Sequence, residues 1–240
     1  MRPTTFITFL LTLTIVKAKA TILWSDLNSG DLIFLDPKPT KGSDFDDAIL
    51  STGLATIKWM EEDDRYPPSI TNEIASHVGI VWKDEQDSSI SIVQALPGQG
   101  VILKAKDDFV NSIPFNSTTI YLGLPNSYVL QDIQEDAASI AYDQIGLPYA
   151  DGFEKPPNSF YCSSLINYAF QLAAKERSTT NNLEDILAPS DFVLLFSPEE
   201  YWEEYYENLG MSVPVNVTGN NPTLVLHSYG LEFQVFDGFY

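Results

Sequence analysis

Cysteine is nearly absent from this chain: Cys162 is the only one in 240 residues. An intramolecular disulfide is therefore excluded. Three readings of the thiol remain, namely an inert buried side chain, an intermolecular bridge and a reactive nucleophile. Histidine is almost as scarce, with His77 and His227 alone. These three residues lie far apart in the chain, without the close Cys/His spacing of a zinc module, so no metal and no cofactor are expected. Positive charge is short as well, with 13 Lys and Arg against 33 Asp and Glu and a formal net charge of −20. Such a surface repels nucleic acid and anionic headgroups, and it attracts cationic partners, including a substrate with a free amine.

Long apolar runs are missing except at the start. There, Arg2 is followed by the uncharged stretch FITFLLTLTIV and then by AKA at 18–20. That order reads as an export signal cleaved near Ala20. The run falls short of the ~20 residues that span a bilayer. The expectation is a secreted chain with no stable membrane span. Removing Arg2, Lys17 and Lys19, and no acid, takes the net charge from −20 to −23. The triplets NST at 116–118 and NVT at 216–218 make Asn116 and Asn216 glycosylation candidates and suggest that both lie at the surface. Apolar content of 44% is that of a folded domain rather than a disordered chain.

Strands are expected at 30–35, 77–82, 88–95, 100–104, 119–124 and 191–196. Helices are expected at 48–60, where Gly53 argues against helix, and at 135–146, 162–177 and 198–209. The last is acidic and aromatic, and reads as a surface helix. In the third, Leu165, Ile166, Ala169, Phe170 and Ala173 form one apolar stripe, which predicts a buried face. The segment 211–240 alternates weakly and reads as an extension able to add edge strands. The pattern is α+β, a meander of strands flanked by helices.

Cys162 opens the predicted helix at 162, with Asn158 or Ser159 as candidate caps. Free backbone N–H groups at a helix start favour negative charge, so the thiol pKa is expected to fall. The same groups suit an oxyanion. The bland alternative is that Cys162 continues the buried stripe. A nucleophile needs a base. His227 lies in the weakly patterned tail, whereas His77 opens the strand HVGIVW. A symmetric turn would pair Val81 with Ile90, Gly79 with Ile92 and His77 with Gln94. The Gln94 carbonyl would then take the Nδ1–H of His77 and leave Nε2 for Cys162.

Together these pieces resemble a known family. NlpC-type cysteine peptidases carry, in order, a cysteine motif, a strand like GDLVFF, a motif like HVGIY and a motif like IHAPGxG. Here GDLIFL comes first, then HVGIVW, then IVQALPGQGV, and GLPYADGFEKPPNSFYCSSLINYAF comes last. That order resembles the circularly permuted YiiX/YebB-like branch of papain-fold proteins, an order shared with the lecithin retinol acyltransferase group. The resemblance covers roughly residues 29 to 175. It implies that Cys162 is the nucleophile, His77 the base and Gln94 the third polar residue, where relatives often have His or Glu. It places Tyr149 and Tyr161 as substrate or oxyanion contacts, with packing as the alternative role for each. Asp31, in GD, reads as a turn residue. YCSSL departs from the NCEH-like context of the acyltransferases.

The resulting expectation has a signal at 1–20, a permuted NlpC-type papain-like domain at 21–210 and an extension at 211–240. In that domain an antiparallel meander sheet packs on the helix carrying Cys162. The expected activity is a secreted cysteine hydrolase, a peptidase or amidase that cleaves a small peptide or cell-wall-type amide through a thioester. The alternatives are a lipid-directed acyltransferase or thioesterase, and a non-catalytic binding protein.

Overall fold

The computed structural model describes residues 22–37, 44–63, 71–113, 118–125, 133–177, 187, 192–193, 199–215, 217–228 and 230–236. The predicted leader at 1–20 and both glycosylation candidates, Asn116 and Asn216, lie outside these residues.

Six antiparallel strands form one sheet: β1 (Leu32–Pro37), β2 (His77–Lys83), β3 (Ile90–Leu96), β4 (Gly100–Ala105), β5 (Thr118–Pro125) and β8 (Leu231–Val235), in the order β4-β3-β2-β1-β5-β8. Strands β1 to β4 are the expected meander, and β5 and β8 extend the sheet on the far side of β1. Alternation along the strands divides the core in two. Leu32, Phe34, Val78, Ile80, Val93 and Ala95 belong to one buried cluster, and Ile33, Val81, Ile92 and Leu122 to the other.

The first cluster also contains residues of α3 (Gln134–Tyr142) and α4 (Cys162–Glu176). The predicted stripe of α4 is fully buried: Leu165, Ile166, Ala169, Phe170 and Ala173 are each 0% exposed. Removing Leu165, Ile166 and Phe170 from water contributes ~1.5–3 kcal/mol each. Ala137, Ala138 and Ala141 of α3 lie in the same cluster, and their small side chains let the two helices approach closely. The other cluster is capped by Phe109 of α2 (Lys106–Asn111), with Trp24 edge-on to both Phe109 and Phe236.

Helix α1 (Asp44–Glu61) runs straight through Gly53. A Cβ there would lie 2.4 Å from Ile74 Cγ2 and 3.2 Å from Thr223 Oγ1, so close packing, and not a helix break, accounts for the glycine. The predicted surface helix is α5 (Glu199–Asn208), and one face of it is core: Trp202 is 1% exposed and Tyr206 0%. The strand expected at 191–196 is described only as β6 (Phe192–Val193), which pairs with β7 (Thr218–Gly219).

From 211 onward the chain adds an edge strand, as its alternation allowed, and it also enters the core. It supplies β7, α6 (Pro222–Leu226) and the sixth strand of the main sheet. Leu224, Val225 and Leu226 are 0% exposed, and Asn221 caps α6 by accepting from the Leu224 N–H at 2.9 Å. Among the described residues no helix is long and apolar enough to cross a membrane.

Candidate active site

Cys162 is the first residue of α4, with the preceding Tyr161 extended at φ −95, ψ 169. The expected caps Asn158 and Ser159 do not serve. Instead Ser164 folds back, accepting from the Tyr161 N–H at 3.0 Å and donating to the Tyr161 carbonyl at 2.9 Å. Just upstream, Tyr149 bridges to Phe160, with the Ala150 N–H donating to the Phe160 carbonyl at 3.1 Å. This ties the PYA segment to the helix start. Cys162 is only 8% exposed, and the backbone N–H groups of Val78, Ser163 and Cys162 itself favour its thiolate.

His77 and Gln94 meet as expected, but by a different route. The β2–β3 register is Ile80↔Val93, Val81↔Ile92, Trp82↔Ser91 and Lys83↔Ile90. The symmetric-turn expectation is therefore two residues out, because the connection takes residues 84–89, with Ser88 at φ 60. A slip of two keeps every side chain on its expected face, whereas a slip of one would not. Gln94 thus stays on the His77 side of the sheet, now beside Gly79. A Cβ on Gly79 would lie 2.6 Å from Ile92 Cγ2 and 3.5 Å from Gln94 Cβ.

Beyond Ile80↔Val93 the two strands fork. β2 continues to His77 against β1 alone, and β3 continues to Leu96 against β4 alone. The imidazole and the carboxamide bridge this fork, with 2.8 Å between His77 Nε2 and Gln94 Oε1. A carboxamide oxygen only accepts, so Nε2 carries the proton and Nδ1 holds the lone pair. This reverses the expected use of the two nitrogens.

Cys162 and His77 line one cavity of about 240 Å³. Tyr149 and Tyr161 line it too, as do Leu96 and Pro97 at the end of β3. The sequence pattern did not single out the remaining walls. Ile49, Thr52 and Gly53 come from α1, Trp202 from α5, and Phe153 from the loop before α4. Asn220, Asn221, Pro222 and Thr223 come from the start of α6. The Asn-Asn-Pro run at 220–222 was the available signal, since Asn before Pro reads as a helix start. His227 lies elsewhere, with its Nε2 2.8 Å from the Glu73 carbonyl. Asp31 holds its turn as expected, accepting from the Asn28 N–H at 2.8 Å and from Gln134 at 2.7 Å.

The electrostatics of the closed cavity overturn one expectation. Burial pushes the Cys162 thiol up to about 11, against the three N–H groups that favour its thiolate. Burial also lowers His77, and the Gln94 hydrogen bond works the other way. At rest the thiol and the imidazole that line this cavity are therefore both neutral. The helix start alone predicts a depressed thiol, but the walls from α1, α5 and α6 outweigh it. Burial, with Cys162 nearby, holds the Tyr149 hydroxyl protonated well above its ordinary range. Burial pushes Tyr161 up to about 12, although its oxygen accepts from the Asn220 N–H at 3.3 Å. Tyr161 also packs edge-on to Phe153 with ring centroids 5.3 Å apart, so it builds the wall.

Comparison with known proteins adds three findings. A family model described as permuted papain-like amidase enzyme, YaeF/YiiX, C92 family, matches residues 26–232. No curated protein sequence matches the chain. Among solved structures, metalloprotein yiiX from Escherichia coli O157:H7 is similar in fold, with TM-score 0.58 and 17% identity over 87% of this chain and 97% of that one. Among the described residues here, no group of three or more His, Cys, Asp or Glu side chains is arranged to hold a metal ion.

Proposed function

Because this chain belongs to the YaeF/YiiX family of permuted papain-like amidases, and so is a papain-like hydrolase, we propose that Cys162, His77 and Gln94 form its catalytic group. The observation that carries this is the 2.8 Å bond between Gln94 and His77, and His77 lines one cavity with the only cysteine. With the proton on Nε2, the lone pair lies on Nδ1, and His77 shares its cavity with the thiol.

The substrate carbonyl enters beside Cys162. Nδ1 of His77 takes the thiol proton as sulfur attacks the carbonyl carbon, so the ion pair forms with the reaction rather than before it. The Val78 N–H favours the developing thiolate. The oxyanion is held by N–H groups at the start of α4 and by the Tyr149 hydroxyl, which stays protonated. Protonated His77 then donates from Nδ1 to the leaving nitrogen. The C–N bond breaks, and the amine leaves a thioester on Cys162. Water attacks that thioester with His77 as base, which releases the acid and restores the thiol.

The substrate is an amide of a small peptide with an apolar group at the reacting end, because Ile49, Phe153, Trp202 and Pro222 line the cavity together with Cys162. Among the described residues no carboxylate lines the cavity, so preference for an amine-bearing substrate rests on the long-range field of a −20 chain. The leader-like start supports action outside the cell.

The test is intact-mass analysis after rapid quenching with short peptide amides. The expected result is a mass gain equal to the acyl group, located on Cys162 and lost in Cys162→Ala. Turnover should fall by ~10²–10⁴ in His77→Ala. A gain from phospholipid vesicles but none from amides would instead support the acyltransferase reading. No adduct from either would favour a binding protein.

A further inference from the structure

The residues that lead into β2 are gripped by α6. Thr223, 1% exposed, uses one hydroxyl twice: Oγ1 accepts from the Ala75 N–H at 3.2 Å and donates to the Ala75 carbonyl at 3.1 Å. One turn further on, Nε2 of the buried His227 lies 2.8 Å from the Glu73 carbonyl. A carbonyl only accepts, so this Nε2 carries a proton. The His227 N–H closes the turn on the Thr223 carbonyl at 3.2 Å, which places both side chains on one face of the helix. The helix has its own anchor, since Asn221 caps it and donates from Nδ2 to Thr56 Oγ1 of α1 at 2.8 Å. From β1, the Leu35 carbonyl takes the Ser76 N–H at 2.9 Å.

His77 follows at once. It stands past Ile80↔Val93, the last pair of β2 with β3, so that ladder does not reach it. Ala75, Ser76, His77 and Thr223 all line the cavity of the thiol. A valine at 223 would fill the same space, but it would take both hydroxyl bonds from Ala75. We propose that Thr223 and His227 are positioning residues for His77: they hold residues 73–75 so that its ring meets Gln94 and keeps the proton on Nε2. The inference rests on the reading of His77 as the base. It gives the second histidine of the chain a part in the work of the first.

Imidazole NMR on isotope-labelled protein tests this without substrate. The chain has two histidines, so His77→Ala assigns their signals. The parent is expected to show His77 as the Nε2–H tautomer, with that proton protected from exchange by Gln94. In Thr223→Val the Nε2–H signal should broaden or vanish through exchange with water, and Thr223→Ser, which keeps the hydroxyl, should restore it. With N-acetyl-L-alanine p-nitroanilide as probe, Thr223→Val should lower kcat ~10–100-fold through misorientation. KM should stay within about threefold. The same substitution should cause no further loss in His77→Ala, because it acts through that ring. His227→Phe gives up the Glu73 bond, keeps a ring against Phe233 and should move the same readouts. It carries the test if Thr223→Val does not fold. An unchanged Nε2–H signal with unchanged kcat in the folded variants, or an equal loss of kcat in Thr223→Ser, would overturn the proposal. A parent inert toward the anilide would count against His77 as the base, whereas the imidazole signal would still decide the clamp.

Discussion

Gln94 decides which nitrogen of His77 meets the sulfur, and its chemistry sets how readily that ring is charged. Burial holds the His77 pKa below 6.5, while the Gln94 bond opposes that shift. The acid limb of kcat/KM, which reports protonation of this base, is therefore expected below pH 6.5. Gln94→Glu puts a carboxylate against the ring, favours the imidazolium and moves the limb upward. Gln94→Ala moves it downward and lowers kcat on the order of a hundredfold through misorientation. Identical limbs in all three proteins would remove His77 as the base. The thiol obeys the opposite sign. Its ordinary value of 9.0 rises to about 11 in the folded chain. Alkylation by iodoacetamide is expected to be slow at neutral pH and to accelerate toward pH 11. The stability linked to this thiol is complete below pH 9.0 and is lost as pH climbs through about 11. Fast labelling at pH 6 would show a preformed ion pair instead. That Cys162 and His77 share one cavity, and that His77 meets Gln94, was legible in the chain. The thiol's protonation was not, because the walls that bury it come from residues 49–53, 202 and 220–223.

At the scale of elements, the fork between β2 and β3 makes the site. His77 lies past the last β2–β3 pair, Ile80↔Val93, and there the ring and the carboxamide meet. Gly79 sits close against β3, where a Cβ would lie 3.3 Å from the Val93 carbonyl oxygen. Gly79→Ala is expected to cost ~1–3 kcal/mol by pressing on Ile92, and to lower activity further by pushing Gln94 aside. Chemical denaturation beside kcat/KM checks this, and full activity in a stable Gly79→Ala protein would contradict it. The face shared by His77 and Gln94 was readable from alternation alone, since a two-residue shift preserves it. The ring orientation was not, since alternation says nothing about where two strands part. The stripe of α4 was plain at five positions, whereas β7 and α6, with two and five residues, are too short to carry a period.

For the whole molecule, the part hardest to read is the part that closes it. A chain ending after residue 210 would lack β7, α6 and β8 and would bare Tyr121, which meets Phe233 edge-on at 5.9 Å. Such a truncation is expected to be insoluble or unfolded by circular dichroism, and a cooperative melt in it would restore the reading of 211–240 as an appendage. The contact between Ala75 and Thr223 joins residues 148 apart in sequence. A chain leaving the ribosome carries His77, Gln94 and Cys162 into solvent long before α6 exists to cover them. During synthesis the sulfur is thus an ordinary exposed thiol, open to oxidation and mixed disulfides. Its shelter is complete only when α6 joins the walls from α1 and α5, so the window in which this protein can be poisoned at its one cysteine lasts until residue 223 docks.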